Sequence, residues 1–217
     1  LENGLQIFNR KDNTFTVYQS NSDYEHSISN NSVYSIMEDH SGVIWIGTMS
    51  GGLNKYDRLK KKFTHIAKRD QKPKSLSNNY VLSFCETGDS IAWIGTWGGG
   101  LNKYNRKTNR FTHYKNIPDN KNSLINDYVY SIIRDRNNDI WIATRGGLSR
   151  LNIKTESFTH YVSEDSNSVN DEFIRTLYID RSGILWIGTY QGGLNRYDIH
   201  ENKFSYLRHD VNDTNSL

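Results

Sequence analysis

Apolar and polar positions along this chain alternate in short runs separated by turn residues, and the same block returns several times. Residues 79–86 form a short apolar run that ends at the turn signal Gly88-Asp89-Ser90. A second run, 92–96, leads to the glycine-rich turn Trp97-Gly98-Gly99. A third, 101–104, is followed by the polar turn 106–109, and a fourth occupies Arg110–Tyr114. None of these runs keeps a helical period. Four short runs joined by tight turns predict an antiparallel meander, with strands that we label A to D.

The block recurs at a fixed interval. Trp45-Ile46-Gly47-Thr48 leads to Gly51-Gly52-Leu53, and Trp93-Ile94-Gly95-Thr96 leads to Gly99-Gly100-Leu101. Trp141-Ile142-Ala143-Thr144 leads to Gly146-Gly147-Leu148, and Trp186-Ile187-Gly188-Thr189 leads to Gly192-Gly193-Leu194. The tryptophans are 48, 48 and 45 residues apart. A four-stranded unit at that period predicts an all-β fold, a β-propeller built of blades. Blade boundaries are expected at 30–77, 78–125, 126–169 and 170–217, with 1–29 supplying strands C and D of a truncated blade. The last residues, Asn215-Ser216-Leu217, match Lys74-Ser75-Leu76 before the second blade. Four blades and a half would leave two open edges, so the expectation is a fragment of a larger array, not a complete ring.

Several residues have a structural job on this reading. The Asp39, Asp135 and Asp180 turns carry Gly or Asn at the fourth position, which suits a type I turn followed by a left-handed residue. Trp45, Trp93, Trp141 and Trp186 are expected to pack between blades. Gly52, Gly100, Gly147 and Gly193 are expected to adopt positive φ. Ile36, Phe84, Ile132 and Leu177 are expected to form one buried layer. Phe63, Phe111, Phe158 and Phe204 place an apolar ring on each D strand.

Composition narrows the function classes. Aromatic residues reach 12%, with 14 Tyr, 8 Phe and 5 Trp, which favours strands. Net charge is +3 and spread along the chain without a basic stripe, which argues against nucleic acid as a partner. The single cysteine, Cys85, lies in an apolar strand and reads as an inert thiol. There is no apolar run of membrane-spanning length and no leader-like segment, so the chain reads as a soluble piece whose targeting information lies outside it.

The pattern V-x-x-I-x-x-D-x-x-G-x-x-W-I-G-T-x-x-G-G-L-x-x-Y-D is nearly complete over 33–57 and returns over 81–105, 129–152 and 174–198. It resembles the two-component regulator propeller repeat. Thr87 replaces the turn Asp, Asn138 the turn Gly and Ala143 the Gly before Thr, and the third repeat is one residue shorter at its B–C turn. The resemblance implies paired seven-bladed propellers forming the extracytoplasmic, periplasmic-side sensor of hybrid histidine kinases or related membrane-bound regulators. Many members sense oligosaccharides released from polysaccharides. On that basis the remaining blades and the membrane and kinase domains of the same protein are expected partners, with a homodimer as a further one.

One asymmetric ligand needs different groups from different blades, so candidate site residues are those that vary at equivalent positions. After the strand B Thr stand Met49, Trp97, Arg145 and Tyr190. At the second position of strand A stand the candidates Tyr34, Tyr130 and Arg175, with Leu82 at the same register in the second repeat but not among the candidates. Trp and Tyr offer faces for stacking on sugar rings, and Arg145 suits a carboxylate or sulfate. Against this, Trp97 also fits as a cover for its glycine turn, and Arg145 as the partner of a neighbouring carboxylate. Asn31, Asn79, Asp127 and Glu172 before strand A read as turn chemistry. His65, His113 and His160 recur in separate blades, which argues against a shared metal site. The basic clusters 58–62 and 106–110 read as solvated turns. No catalytic constellation and no cofactor motif emerges. A carbohydrate-active propeller lyase and a protein-interaction or dimerisation platform, with Met49, Trp97 and Tyr190 as its apolar patch, remain as alternatives.

Overall fold

The structure is a computed structural model that describes residues 3–69, 75–88, 90–214 and 216–217. The Gly88-Asp89-Ser90 turn, Lys74-Ser75-Leu76 and Asn215-Ser216-Leu217 therefore lie partly outside the described residues. Eighteen strands and no helix make up the described residues. β1 (Leu5–Asn9) and β2 (Thr14–Tyr18) form a two-stranded sheet. β3 (Val33–Glu38), β4 (Ile44–Thr48), β5 (Leu53–Asp57) and β6 (Lys62–Ile66) form the first four-stranded sheet. The second is β7 (Val81–Thr87), β8 (Ile91–Thr96), β9 (Gly100–Asn105) and β10 (Arg110–Tyr114). The third is β11 (Val129–Arg134), β12 (Ile140–Thr144), β13 (Gly147–Asn152) and β14 (Ser157–Tyr161). The fourth is β15 (Ile174–Ile179), β16 (Ile184–Thr189), β17 (Leu194–Asp198) and β18 (Lys203–Leu207). Each is an antiparallel meander in chain order, as expected of propeller blades. The first strands lie side by side across blades: β3 against β7, β7 against β11, and β11 against β15.

The hydrophobic core lies between blades. Trp45 clusters with Val81, Ile94 and Tyr104 of the second blade, Trp93 with Val129, Ile132 and Ile142 of the third, and Trp141 with Ile174, Leu185 and Ile187 of the fourth. All three indoles are buried. Each removes on the order of 200 Å² from water, worth roughly 4–6 kcal/mol before entropy is counted. Trp186 differs: it is half-buried, because no later strand of the chain packs on its face. Ile36 is a second departure. Its counterparts Ile132 and Leu177 are buried against the preceding blade's strands, but Ile36 is 57% exposed. On that side β1 and β2 cover Ile44, Ile46 and Tyr56 and leave Ile36 open. Phe84 is half-buried, as are Phe111 and Phe158, whereas Phe63 and Phe204 are buried.

Repeated polar residues close the turns and link the blades. Thr48, Thr96, Thr144 and Thr189 each donate their hydroxyl to the carbonyl of the second glycine of the pair, at 2.9, 2.9, 2.7 and 2.9 Å. That glycine must be glycine: Gly100 has φ +76, and a Cβ there would sit 2.4 Å from the carbonyl oxygen of Tyr114. Its N–H reaches into the next blade and donates to the Asp127 carbonyl at 2.9 Å, as Gly52 does to Asn79 and Gly147 to Glu172. The D-strand histidines pin the linker before strand A. His65, His113 and His160 bond the carbonyls of Ser27, Ser75 and Lys121, and Tyr206 does the same to Ser168.

Candidate functional site

In every blade the first strand carries a bulge. Pairing skips one residue between Val33 and Ser35, Val81 and Ser83, Val129 and Ser131, and Ile174 and Thr176. The skipped residues are Tyr34, Leu82, Tyr130 and Arg175, so the variable second position of strand A is the bulge residue. A bulge leaves its extra residue out of the ladder and re-aims its side chain. Here it delivers two tyrosines, a leucine and an arginine to the end of the blades where the B–C turns lie.

The backbone then sets a second variable residue beside each bulge. The N–H groups of Met49, Trp97, Arg145 and Tyr190 donate to the carbonyls of Ser32, Tyr80, Tyr128 and Phe173, at 3.0, 3.0, 3.2 and 2.8 Å. The position before strand A is thereby clamped to the position after the strand B Thr. An Asx turn supports it, since Asn30, Asn78, Asn126 and Asp171 each accept the N–H two residues on, of Ser32, Tyr80, Tyr128 and Phe173. The next residue faces the linker instead. Asn31, Asn79 and Asp127 accept backbone N–H bonds from Ser20, Lys68 and Asn116, and Glu172 accepts from the Ser163 hydroxyl. These four are scaffold.

Variable positions from all four blades converge on one cleft, three from the second blade and one from each of the others. Tyr34, Tyr80, Leu82, Trp97, Tyr130 and Arg175 line about 310 Å³. The rings form a continuous row. Tyr34 lies 6.0 Å from Tyr80, Tyr80 6.0 Å from Trp97, and Trp97 5.7 Å from Tyr130. Tyr130 lies 5.2 Å from Phe173, and Phe173 stacks on Tyr190 at 4.9 Å. Tyr128 meets Trp97 edge-on at 5.2 Å from beneath the turn. Burial, reinforced by the nearby Tyr34, pushes the Tyr80 hydroxyl above its ordinary pKa, so it is a neutral donor near neutral pH.

Two guanidinium groups lie on this row. Arg175 sits over Tyr130 at 4.7 Å and Phe173 at 5.4 Å, and Arg145 lies 5.9 Å from both Tyr128 and Phe173. Met49 lines a neighbouring groove with Asn30, Asn31, Ser50 and Tyr80. Of the seven candidates read from the sequence, Tyr34, Trp97, Tyr130 and Arg175 share the cleft wall. Arg145 and Tyr190 extend the row through Phe173, and Met49 borders it through Tyr80. Sequence reasoning missed Tyr80, Tyr128 and Phe173. Their signal was available: Ser32, Tyr80, Tyr128 and Phe173 occupy one register position and differ in the same way.

The opposite end of the blades is an ionic seam. Arg106 donates to Asp39 of the preceding blade at 2.6 Å and to Glu86 of its own, and His40 contacts Glu86 at 2.8 Å. The basic cluster 106–110 is therefore not simply a solvated turn, because its first residue is largely buried between two carboxylates. Cys85 is buried, and that burial raises its thiol to about 11, which keeps it protonated.

The model of the two component regulator propeller matches residues 27–50, 75–98, 123–146 and 168–191, each spanning a linker, strands A and B and the B–C turn. No curated protein matches the chain in sequence. Among solved structures it resembles the extracellular domain of a B. thetaiotaomicron protein assigned as a hybrid two component system, with TM-score 0.79 and 27% identity. That alignment covers 95% of this chain and 28% of the other. The extracellular domain of a second B. thetaiotaomicron protein, assigned as a one component system, matches with TM-score 0.79 and 21% identity over 97% of this chain and 29% of the other. The virginiamycin B lyase of Staphylococcus aureus shares the fold at TM-score 0.67 and 15% identity, over 97% of this chain and 64% of the lyase. The chain thus spans under a third of the length of the two extracellular domains. Its four repeats belong to the two component regulator propeller family.

Proposed function

We propose that this chain is the ligand-recognition part of a sensor propeller. It would lie on the extracytoplasmic side of a bacterial membrane and control a histidine kinase, with an oligosaccharide as its ligand. The observation that carries this reading is the convergence of three variable register positions from the blades on one ring-lined cleft, while the invariant residues are consumed by turns and blade packing. Flat aromatic faces with hydroxyl edges suit the apolar faces and hydroxyl rims of pyranose rings. Similarity to an extracellular domain of a hybrid two component system supports the location and the coupling to a kinase. Among the described residues, the cleft wall carries no histidine and no carboxylate, which favours binding over turnover. Ligand contacts that differ between two arrangements of the sensor would shift their populations and pass the signal on.

The test is a glycan-binding screen of this chain beside its Trp97→Ala and Tyr34→Ala variants. Both side chains are exposed, so the variants keep the wild-type melting temperature. Binding that both variants lose by tenfold or more supports the reading. Equal binding by wild type and both variants, or turnover of the bound glycan, sinks it. Autophosphorylation of the full-length product that ignores a glycan bound in the cleft removes the kinase-control part alone.

A further inference from the structure

We infer that the ligand of this cleft is acidic, with its carboxylate or sulfate seated at Arg175 and its uncharged ring on Trp97 and Tyr80; this rests on the cleft being the ligand site. Several arginines of this protein are neutralised by carboxylates. Arg106 and Arg150, at the other end of the blades, are met by carboxylates: Arg106 by Asp39 and Glu86, Arg150 by Asp139 at 2.7 Å. Arg58 is paired with Glu38 at 2.8 Å. Among the described residues, neither Arg145 nor Arg175 makes a side-chain hydrogen bond or an ion pair with a carboxylate. Both engage the protein through the flat face of the guanidinium, over Tyr130 and Phe173 for Arg175 and over Tyr128 and Phe173 for Arg145.

A guanidinium held by its face keeps its N–H edge available. That edge is a planar fork matched to the two oxygens of a carboxylate or sulfate, and the stacking rings fix its orientation before a ligand arrives. The nearby acids are engaged elsewhere. Asp171 accepts the N–H groups of Phe173, Gln191 and Gly192, Asp127 that of Asn116, and Glu172 the Ser163 hydroxyl. The six residues of the cleft wall therefore carry one formal charge, and it is positive. The wall is also polarised: Tyr34, Tyr80, Leu82 and Trp97 form a neutral half, and Arg175 stands beyond Tyr130. A neutral ligand would leave this oriented cation without a counter-charge, whereas a ligand with an acid at one end satisfies both halves.

The test uses three matched disaccharides, one bearing a uronate, one an O-sulfate and one neither, titrated into this chain by calorimetry with intrinsic fluorescence in parallel. Arg175 is exposed at a bulge, so Arg175→Gln leaves the fold intact, and its melting temperature checks this. Tight binding of at least one acidic disaccharide, weakened roughly tenfold to a hundredfold by Arg175→Gln and less by Arg175→Lys, supports the inference. Which of the two acidic sugars responds identifies the carboxylate or the sulfate. A neutral disaccharide that binds as tightly as the acidic ones, with Arg175→Gln silent, overturns the acidic ligand while leaving the cleft as the site. A bound disaccharide indifferent to both Trp97→Ala and Arg175→Gln overturns the site as well, as does the failure of all three to bind.

Discussion

The indole N–H of Trp93 donates to the hydroxyl of Thr87 at 2.9 Å, in the place where the other three repeats present an aspartate. Trp45, Trp141 and Trp186 donate to Asp39, Asp135 and Asp180 at 2.8, 2.9 and 2.9 Å. The repeat Asp thus does two things: one oxygen organises the A–B turn and the other satisfies the indole. Thr87 keeps only the second role. Replacing it by valine preserves shape and removes the acceptor, leaving a buried N–H without a partner. Thr87→Val should destabilise the fold by about 1–3 kcal/mol in chemical denaturation. Thr87→Ser, which keeps the hydroxyl, should cost under about half of that.

Asp39 gives the same turn a pH dependence. Burial of its carboxylate works against the charge, yet hydrogen bonds from Ser41, Trp45 and the Val43 N–H, with the Arg106 charge, hold its pKa at about 2. A depressed native pKa means that the unfolded state binds the proton more readily, so stability is present above the unfolded value, near 4, and is lost as pH falls toward 2. Denaturation followed between pH 5 and pH 2 should show Asp39→Asn losing part of the wild-type slope in that window. An unchanged slope would mean that other carboxylates carry the acid sensitivity.

Arg58 and Arg106 occupy the same position of successive repeats and both pair with a glutamate of their own blade, yet their environments differ. The side chains of Arg58 and Glu38 are each 52% exposed, whereas Arg106 is 14% exposed and also holds Asp39 across the blade junction. Solvent screens the first pair, so Arg58→Ala should change stability by less than about 1 kcal/mol. Arg106→Ala leaves two largely buried carboxylates without their cation and should cost about 3–5 kcal/mol. Urea denaturation of the two variants side by side makes the comparison.

This contrast marks where sequence reading stops. The strand runs, the left-handed turn residues Gly42, Asn138 and Gly183, and the positive φ of the second paired glycine follow from local backbone chemistry, and the structure has each of them. The bulge at Tyr34, Leu82, Tyr130 and Arg175 does not, because a residue skipped by the ladder looks like any other strand residue in a one-dimensional pattern. Ile36 and Trp186 match their buried counterparts in sequence but lie in the first and last four-stranded blades, where one face is less fully covered. The candidate cleft was legible at four of its six wall positions as named sites. Leu82 shares the register of Tyr34, Tyr130 and Arg175 without being a named candidate, and Tyr80 stands beside an Asn-Asn turn that accounts for its surroundings.

Tyr128 is not among the residues lining the cleft, but it should still control binding. It meets Trp97 edge-on, its carbonyl accepts the Arg145 N–H, and a Cβ added at Gly98 would meet its ring at 3.6 Å. Trp97 is held on one side by its own N–H bond to the Tyr80 carbonyl and on the other by this ring. Removing the ring frees the indole to leave its stacking orientation, a loss of preorganisation rather than of contact. Tyr128→Ala should therefore weaken any glycan that depends on Trp97 by roughly threefold to tenfold, corresponding to freezing about one extra side chain. The readout that separates this from simple unfolding is acrylamide quenching. Trp45, Trp93 and Trp141 are buried and insensitive, so quenching reports mainly on Trp97, with a smaller part from half-buried Trp186. Tyr128→Ala should raise the quenching constant at an unchanged melting temperature, and Tyr128→Phe, which keeps the ring edge, should restore both quenching and affinity. If Tyr128→Phe is as defective as Tyr128→Ala, the hydroxyl and not the ring carries the effect, and Tyr128 belongs to the ligand contacts.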